Sequence, residues 1–407
     1  MNQIKDSIVI ALQAIWANKL RSFMTVLGNI VAVTSIVTVV TLIQGMNAMV
    51  SDAIVSDVGA DAFTIQRRPP IRSQDDEERT RANPLLTLRE AAAIRGYSPV
   101  VKAVMAQASR GATVGYRDQE LDNISIQGVT SDYSDFSTFT AERGRMMSTI
   151  EVERSQPVAL IGYDLADKLF GDINPLEKNI KIAGIPFRVV GVSEKKGSFF
   201  GNSQDNFAVI PLGAYQKLFG ARQSLTLTVK PTSTDALNAA MDDATVALRV
   251  ARHLKPADRD NFGMFTSDTI LDLYHQVTNG VFAVLVGIVA LSLLVGGIVI
   301  MNIMLMVVSE RTREIGLRKA LGAKRKDIMA QVLTESITLS TFGGIIGIAL
   351  GFLAATGISA LTPLPARLEP WSVVLGIGIT ASVGLFFGAY PASRAASLDP
   401  IEALRRE

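Results

Sequence analysis

The sequence predicts a membrane protein of four transmembrane helices, with a large α+β domain inserted between the first and the second. Three observations carry this. Residues 22–51, 273–309, 336–366 and 370–393 contain no Asp, Glu, Lys or Arg, and each window exceeds the ~20 residues with which a helix crosses ~30 Å of hydrocarbon. Residues 52–272 hold 26 basic and 29 acidic side chains, net −3, whereas the remainder is net +5. The basic residues near the span ends (Lys19, Arg21, the 311–326 cluster, Arg394, Arg405 and Arg406) fall on one side of a four-span chain. Positive charge resists translocation, so both termini and the middle loop are expected inside and residues 52–272 outside.

The expected organisation is an amphipathic cytoplasmic helix over 1–21, the first span and stalk over 22–51, and the outer domain over 52–272. A stalk and second span follow over 273–308, a cytoplasmic helix over 309–331, spans over 332–361 and 370–391, and a cytoplasmic tail over 392–407. Ile4, Ile8, Ala11, Leu12 and Ile15 have the spacing of a helix lying on the inner membrane surface. The 22–51 window begins too deep in the chain for a cleaved signal peptide and reads as a retained anchor. Thr34, Thr38 and Thr41 form a polar line along the first span, expected to bond within the helix or across a helix interface.

Residues 67–83 mix charge with proline and read as a surface loop. Thr87-Leu-Arg-Glu90 is a capping box opening a helix through Ile94. Strands are expected at 100–105, 112–116, 124–129, 157–161, 207–210 and 225–229, helices at 164–170 and 235–253, and a hairpin at 180–182 and 187–192 turning at Ala183-Gly184. The chain has no cysteine, so the domain rests on its own core without disulfides. Helical spacing from Ile270 through Val281 runs unbroken into the second span, giving two helical stalks. Gly343, Gly347 and Gly351 on the third span and Gly384 and Gly388 on the fourth are small residues four apart. They lead one to expect that these two spans pack closely as a hairpin.

Residues 309–327 form the densest charge cluster between apolar runs, with seven basic and three acidic side chains. Glu314 and Arg318 stand at i,i+4, and Gly322 sits where a C′ glycine ends a helix. The segment reads either as a charged helix receiving a push from a soluble partner or as a basic loop that only sets topology. The charge-free spans lack the ionisable residues of ion-coupled carriers. No GxxxxGK[ST] phosphate loop, catalytic constellation or metal-ligand spacing occurs, and His253 and His275 stand alone.

Three stretches together resemble the MacB/LolC/FtsX-type ABC transporter permeases. Ser309-Glu-Arg-Thr-Arg-Glu-Ile-Gly-Leu-Arg-Lys-Ala-Leu-Gly-Ala323 is similar to the signature after their second span. Tyr390-Pro-Ala-Ser-Arg394 through Asp399-Pro400 and Arg405 looks like their C-terminal motif. Arg143-Gly-Arg-Met, Val158-Ala-Leu-Ile-Gly162, Leu169-Phe-Gly171 and Phe187-Arg-Val-Val resemble the MacB-type periplasmic core domain. At Pro175-Leu-Glu-Lys178, Glu177 stands where the family has a turn glycine.

The resemblance implies a dimer, with a second copy or a paralogue, pairing through the first two spans of each subunit. It also implies mechanotransmission: ATP and Mg bound by a partner ABC ATPase drive motion in the outer domains, and this chain binds no cofactor itself. Glu310, Arg311, Arg313, Glu314, Ile315, Gly316, Arg318, Leu321 and Gly322 would then form the ATPase-coupling helix. Because about twenty residues precede the first span, the ATPase is expected on a separate chain. The function expected is efflux or export from the inner membrane, with a periplasmic adaptor and outer-membrane channel as further partners, lipid around the spans and no nucleic acid. The alternatives are an FtsX-like signalling permease that activates an outer-face hydrolase, and a plain receptor without an ATPase. Neither the chain's own catalysis nor a metal is expected.

Overall fold

The structure is a computed structural model that describes residues 19–58, 61–68, 78, 80–136, 140–199, 201–367 and 369–405. The expected amphipathic helix over 1–21 lies almost wholly outside the described residues, as does most of the 67–83 loop. Two compact units are present, Val50–Gln276 and Met1–Met49 with Val277–Glu407.

In chain order the elements are α1 (Lys19–Val58), β1 (Phe63–Gln66), α2 (Leu88–Tyr97), β2 (Val101–Tyr116), β3 (Gln119–Val129), β4 (Ala141–Gly144) and α3 (Thr149–Glu153). Next come β5 (Val158–Ile161), α4 (Tyr163–Phe170), β6 (Asn179–Ile182), β7 (Ile185–Ser193), β8 (Ser198–Phe199), β9 (Asn202–Ser203), β10 (Phe207–Pro211) and α5 (Leu212–Phe219). The chain closes with β11 (Thr226–Pro231), α6 (Leu237–Ala251), β12 (Gly263–Thr266), α7 (Ser267–Glu310), α8 (Thr312–Ala320), α9 (Arg325–Leu361), α10 (Pro370–Ser397) and α11 (Pro400–Arg405). Among the described residues, α1, α7, α9 and α10 are long and apolar enough to cross a membrane.

The inserted domain is built on a ten-stranded mixed sheet in the order β12-β1-β11-β2-β3-β10-β5-β7-β4. β6 pairs with both β2 and β7, so β2, β3, β10, β5, β7 and β6 close into a ring. Both faces are covered. Ala159 and Ile161 of β5 join one apolar core and Val158 and Leu160 another, which is why these residues read as an unbroken apolar run. The expected strands at 100–105 and 112–116 are in fact one strand, β2. Its polar middle stays in the ladder with β3, where the Ser109 and Ser125 hydroxyls lie 3.2 Å apart.

Local signals act as their chemistry requires. The Thr87 hydroxyl accepts from the Arg89 N–H, and the Glu90 carboxylate accepts from the Thr87 N–H at 3.0 Å. The β6–β7 hairpin turns on Ala183 (φ 47°) and Gly184 (φ 84°), the pair of positive angles that matches the twist of a tight hairpin. A second capping box, Ser148 with Glu151, opens α3 and escaped the sequence reading.

Glu177 keeps the left-handed backbone of the glycine it stands in for, at φ 61°, and its carboxylate accepts from Arg188 at 2.9 Å. A β-branched side chain tolerates that backbone poorly. Glu177→Val is expected to destabilise the chain by ~1–2 kcal/mol. Glu177→Gly is expected to leave it unchanged or up to ~1 kcal/mol more stable, since an exposed ion pair contributes little. Thermal melting of the purified variants checks the order; a valine variant as stable as the glycine one would contradict it.

In the membrane unit, the glycine stripe of α9 does not face α10 as expected. A Cβ on Gly343 would lie 2.1 Å from Val26 Cγ1, one on Gly347 2.8 Å from Val33 Cβ, and one on Gly351 2.9 Å from the Thr34 carbonyl oxygen. All three therefore seat α1. Part of the threonine line joins in: Thr34 donates to the Gly347 carbonyl at 3.2 Å. The Thr38 hydroxyl instead donates within its own helix to the Thr34 carbonyl at 2.7 Å, with the Gly351 carbonyl oxygen 3.1 Å away, and the Thr41 hydroxyl is buried without a partner among the described residues. The α9–α10 pairing runs through other residues. Gly384 and Gly388 admit Ser336 and Ser340, and Ser336 donates to the Gly384 carbonyl at 2.9 Å. Asn29 adds a buried polar chain, its amide donating to the Ser340 carbonyl at 2.7 Å while the Ser340 hydroxyl donates to the Thr380 carbonyl at 2.6 Å. Nothing in the linear pattern marked Asn29.

The fourth helix also continues past the expected end at residue 391, running through Pro391 to Ser397. A proline removes its own N–H donor and crowds the carbonyl four residues back, a cost that packed neighbours offset in a membrane helix.

Candidate functional site

The segment 309–331 is three pieces and not one helix. α7 ends at Glu310, Arg311 breaks the line, α8 occupies Thr312–Ala320, and α9 begins at Arg325. The break has a chemical support: the Thr312 hydroxyl donates to the Ser309 carbonyl at 2.8 Å, with the Val308 carbonyl oxygen 3.1 Å away, satisfying a carbonyl that a helix end leaves without a partner. At the other end, the Gly322 N–H donates to the Lys319 carbonyl and the Ala323 N–H to the Arg318 carbonyl, both at 3.0 Å. With Gly322 at φ 99°, this is a Schellman stop at the position expected from the sequence. Asp327 then opens α9 by accepting from the Lys324 N–H at 3.0 Å.

α8 is held on several sides. Ile315 is buried in an apolar cluster with Ile300, Met304, Val308, Ile328 and Val332. The Arg311 guanidinium donates to Glu335 at 3.2 Å, and the Glu335 side chain is only 12% exposed. The expected Glu314–Arg318 pair does not form; Arg318 reaches Gln331 at 2.7 Å instead. Tertiary neighbours on α9 compete successfully with an i,i+4 pair worth only a few tenths of a kcal/mol, roughly 0.2–0.5. A cleft of about 150 Å³ opens between α8 and α9, with Arg311, Glu314, Arg318, Gln331 and Glu335 among its walls.

The C-terminal motif closes the third side. Asp399 caps α11, its carboxylate accepting from the Ile401 N–H at 2.8 Å, with Pro400 as first helical residue. A Cβ on Gly316 would lie 2.7 Å from Ala403 Cβ, so α8 and α11 meet where only glycine fits. The Lys319 ammonium donates to the Ala396 and Leu398 carbonyls at 2.7 Å each, a cation at the negative end of α10. Pro391 is buried, while Tyr390 and Arg394 are exposed.

Of the proposed coupling residues, Ile315 and Gly316 thus face inward and hold α8 in place. Glu310, Arg313, Glu314, Arg318, Leu321 and Gly322 are exposed, with Arg311 half-buried between the two sets. Leu317 and Leu321 are 54% and 81% exposed, one turn apart beside Arg313 and Glu314. Lys319, Glu335 and Ala403 are members of the joint that sequence reasoning left out. For Lys319 the only available signal was its place among seven basic residues.

Four membrane-spanning helices, a large α/β domain inserted after the first, and a short charged helix bound across the span ends define a multi-pass membrane permease. The chain belongs to the MacB/FtsX-type ABC transporter permeases: residues 22–247 match the MacB-like periplasmic core domain and residues 286–400 the FtsX-like permease C-terminal region. It is similar to the macrolide export ATP-binding/permease protein MacB of Bdellovibrio bacteriovorus, with 34% identity over 97% of this chain and 61% of that protein. It is also similar to the pyoverdine export ATP-binding/permease protein PvdT of Pseudomonas syringae pv. tomato, with 34% identity over 100% of this chain and 60% of that protein. The chain therefore spans less than two thirds of the length of these relatives. Among solved structures, the periplasmic region of MacB from Actinobacillus actinomycetemcomitans matches with 19% identity and a TM-score of 0.45, over 54% of this chain and 95% of that one.

Proposed function

We propose that the chain is the permease subunit of a mechanotransmission-type ABC machine, in which ATP and Mg bound by a nucleotide-binding partner move α8. The observation that carries this is the exposed Arg313–Glu314–Leu317–Leu321 face of a helix fixed from behind by α9 and α11. A rigid helix with apolar and charged groups outward is suited to seat in a partner's cleft. No phosphate loop occurs within these 407 residues, so ATP binding is assigned to a nucleotide-binding domain outside them. Basic residues at the span ends support a cytoplasmic position for α8 and both termini. Two permease copies then pair, and α1 and α7 carry the motion to the inserted domains on the far side of the inner membrane. The work done there is export of a hydrophobic drug, a peptide or a lipid-linked molecule, with an adaptor and outer-membrane channel receiving the cargo.

Detergent pull-down of the tagged chain from its native membranes tests the reading. Recovery of an ABC ATPase supports it, and an adaptor alongside favours efflux. A cell-wall hydrolase in place of an adaptor would instead favour the signalling form of the same machine. Recovery of neither, with the dimer intact, would overturn the proposal. Glu314→Lys is expected to insert normally yet recruit the ATPase about tenfold less tightly, a change of about 1.4 kcal/mol; wild-type recruitment by this variant would count against α8 as the docking element.

A further inference from the structure

We propose that Lys319 is a positioning residue for coupling: its ammonium locks α8 to the last carbonyls of the fourth span, so that displacement of α8 reaches that span. The inference rests on the proposed function and goes beyond it by naming how the load divides. α8 is joined covalently to α7 and α9 alone. Its bonds to Ala396 and Leu398 come from residues 77 and 79 positions away in the chain, and they are all directed from one side chain to backbone oxygens. A helix end leaves such carbonyls without partners, and a cation placed there satisfies both hydrogen bonding and the helix dipole.

The break at Arg311 makes the lock necessary. There the α7 ladder stops, and a threonine hydroxyl takes up one of the freed carbonyls, so α8 has a point about which it can rock. Arg311–Glu335 and Arg318–Gln331 oppose rocking from the α9 side. Lys319 opposes it from the α10 side, with Ala403 filling the space over Gly316. Without the ammonium, that side keeps the close fit of Gly316 and Ala403 and the apolar cluster that Ile315 shares with Ala392 and Ala395, non-directional contacts that let α8 rock at the break.

The chain has no cysteine, so paired labels can be introduced without background. Ser292→Cys on α7 and Ser382→Cys on α10 both replace exposed hydroxyls that bond only within their own helix. The spin-labelled chain, with its co-purified ATPase in lipid nanodiscs, is measured by pulsed dipolar spectroscopy with and without a non-hydrolysable ATP analogue. The wild type and Lys319→Arg are expected to show a nucleotide-dependent shift in label separation. Lys319→Met is expected to recruit the ATPase as the wild type does and to lose the shift. A full shift in Lys319→Met overturns the inference, as does failure of Lys319→Arg to restore it, and lost ATPase recruitment in Lys319→Met would reassign the residue to docking. If the methionine variant does not fold, Lys319→Gln, an uncharged N–H donor, is held to the same outcomes. A wild type that binds no ATPase, or shows no shift, overturns the proposed function itself.

Discussion

Gly347→Leu is expected to part the first and third spans and to destabilise the membrane unit by ~3 kcal/mol or more. Even a methyl group at this position would meet Val33 Cβ at 2.8 Å and the Ile30 carbonyl oxygen at 3.0 Å, below any comfortable contact distance, and overpacking of this kind costs ~1–3 kcal/mol before hydrogen bonds are counted. Separation also breaks the bond from Thr34 to the Gly347 carbonyl, worth ~0.6 kcal/mol in a membrane interior. Gly378→Leu is the control, since a Cβ there meets nothing within 4 Å and the position is exposed. Melting in detergent should therefore fall steeply for Gly347→Leu and hardly for Gly378→Leu. Equal melting of the two would show that the stripe is not a helix interface.

The second large effect belongs to Glu151 of the inserted domain. Arg145 donates to both its carboxylate oxygens at 2.7 and 2.8 Å, and the Ser148 N–H adds a third bond at 2.8 Å. Chiefly because of the Arg145 bonds, the carboxyl titrates at about 2, against an ordinary value of 4.5. A carboxyl depressed on folding stabilises the folded state fully above about pH 4.5 and loses that contribution as pH falls toward 2. The shift sets an upper limit of ~3 kcal/mol, reduced to ~2 because the Arg145 side chain is half exposed to water. Glu151→Gln is expected to melt well below the wild type at pH 7 and close to it at pH 2.5. A gap that stayed constant across this range would mean that ionisation of Glu151 contributes nothing.

Features governed by a few neighbouring residues were legible in the sequence. The four spans follow from the length of their charge-free windows, the Thr87 cap from its spacing to Glu90, and the Gly322 stop from a glycine after a helical run. Even the anomaly at Glu177 kept the backbone that its position demanded. Features that depend on which surface meets which were not legible. A stripe of glycines announces a close approach but not its partner, and α9 presents Gly343, Gly347 and Gly351 to α1 and Gly344 to Thr380 of α10. In the same way Arg318 had a suitable acceptor one turn away and found another, Gln331, on a helix that only the fold brings near. β2 was divided in the reading because its polar middle breaks the alternation, and pairing with β3 overrides that break.

The β1–β12 pair ties the start of α7 to the sheet of the inserted domain. β12 is the edge strand of the sheet, antiparallel to β1 with Phe63 opposite Thr266. It passes into α7 with no residue between, the Thr266 and Thr269 N–H groups each donating to the other's hydroxyl at the junction. A piston stroke of α7 by one residue, ~3.4 Å along a strand, would put every β12 side chain on the wrong face of the sheet. Slip of β12 along β1 is thus opposed, so the first turn of α7 and the edge of the sheet are held as one piece.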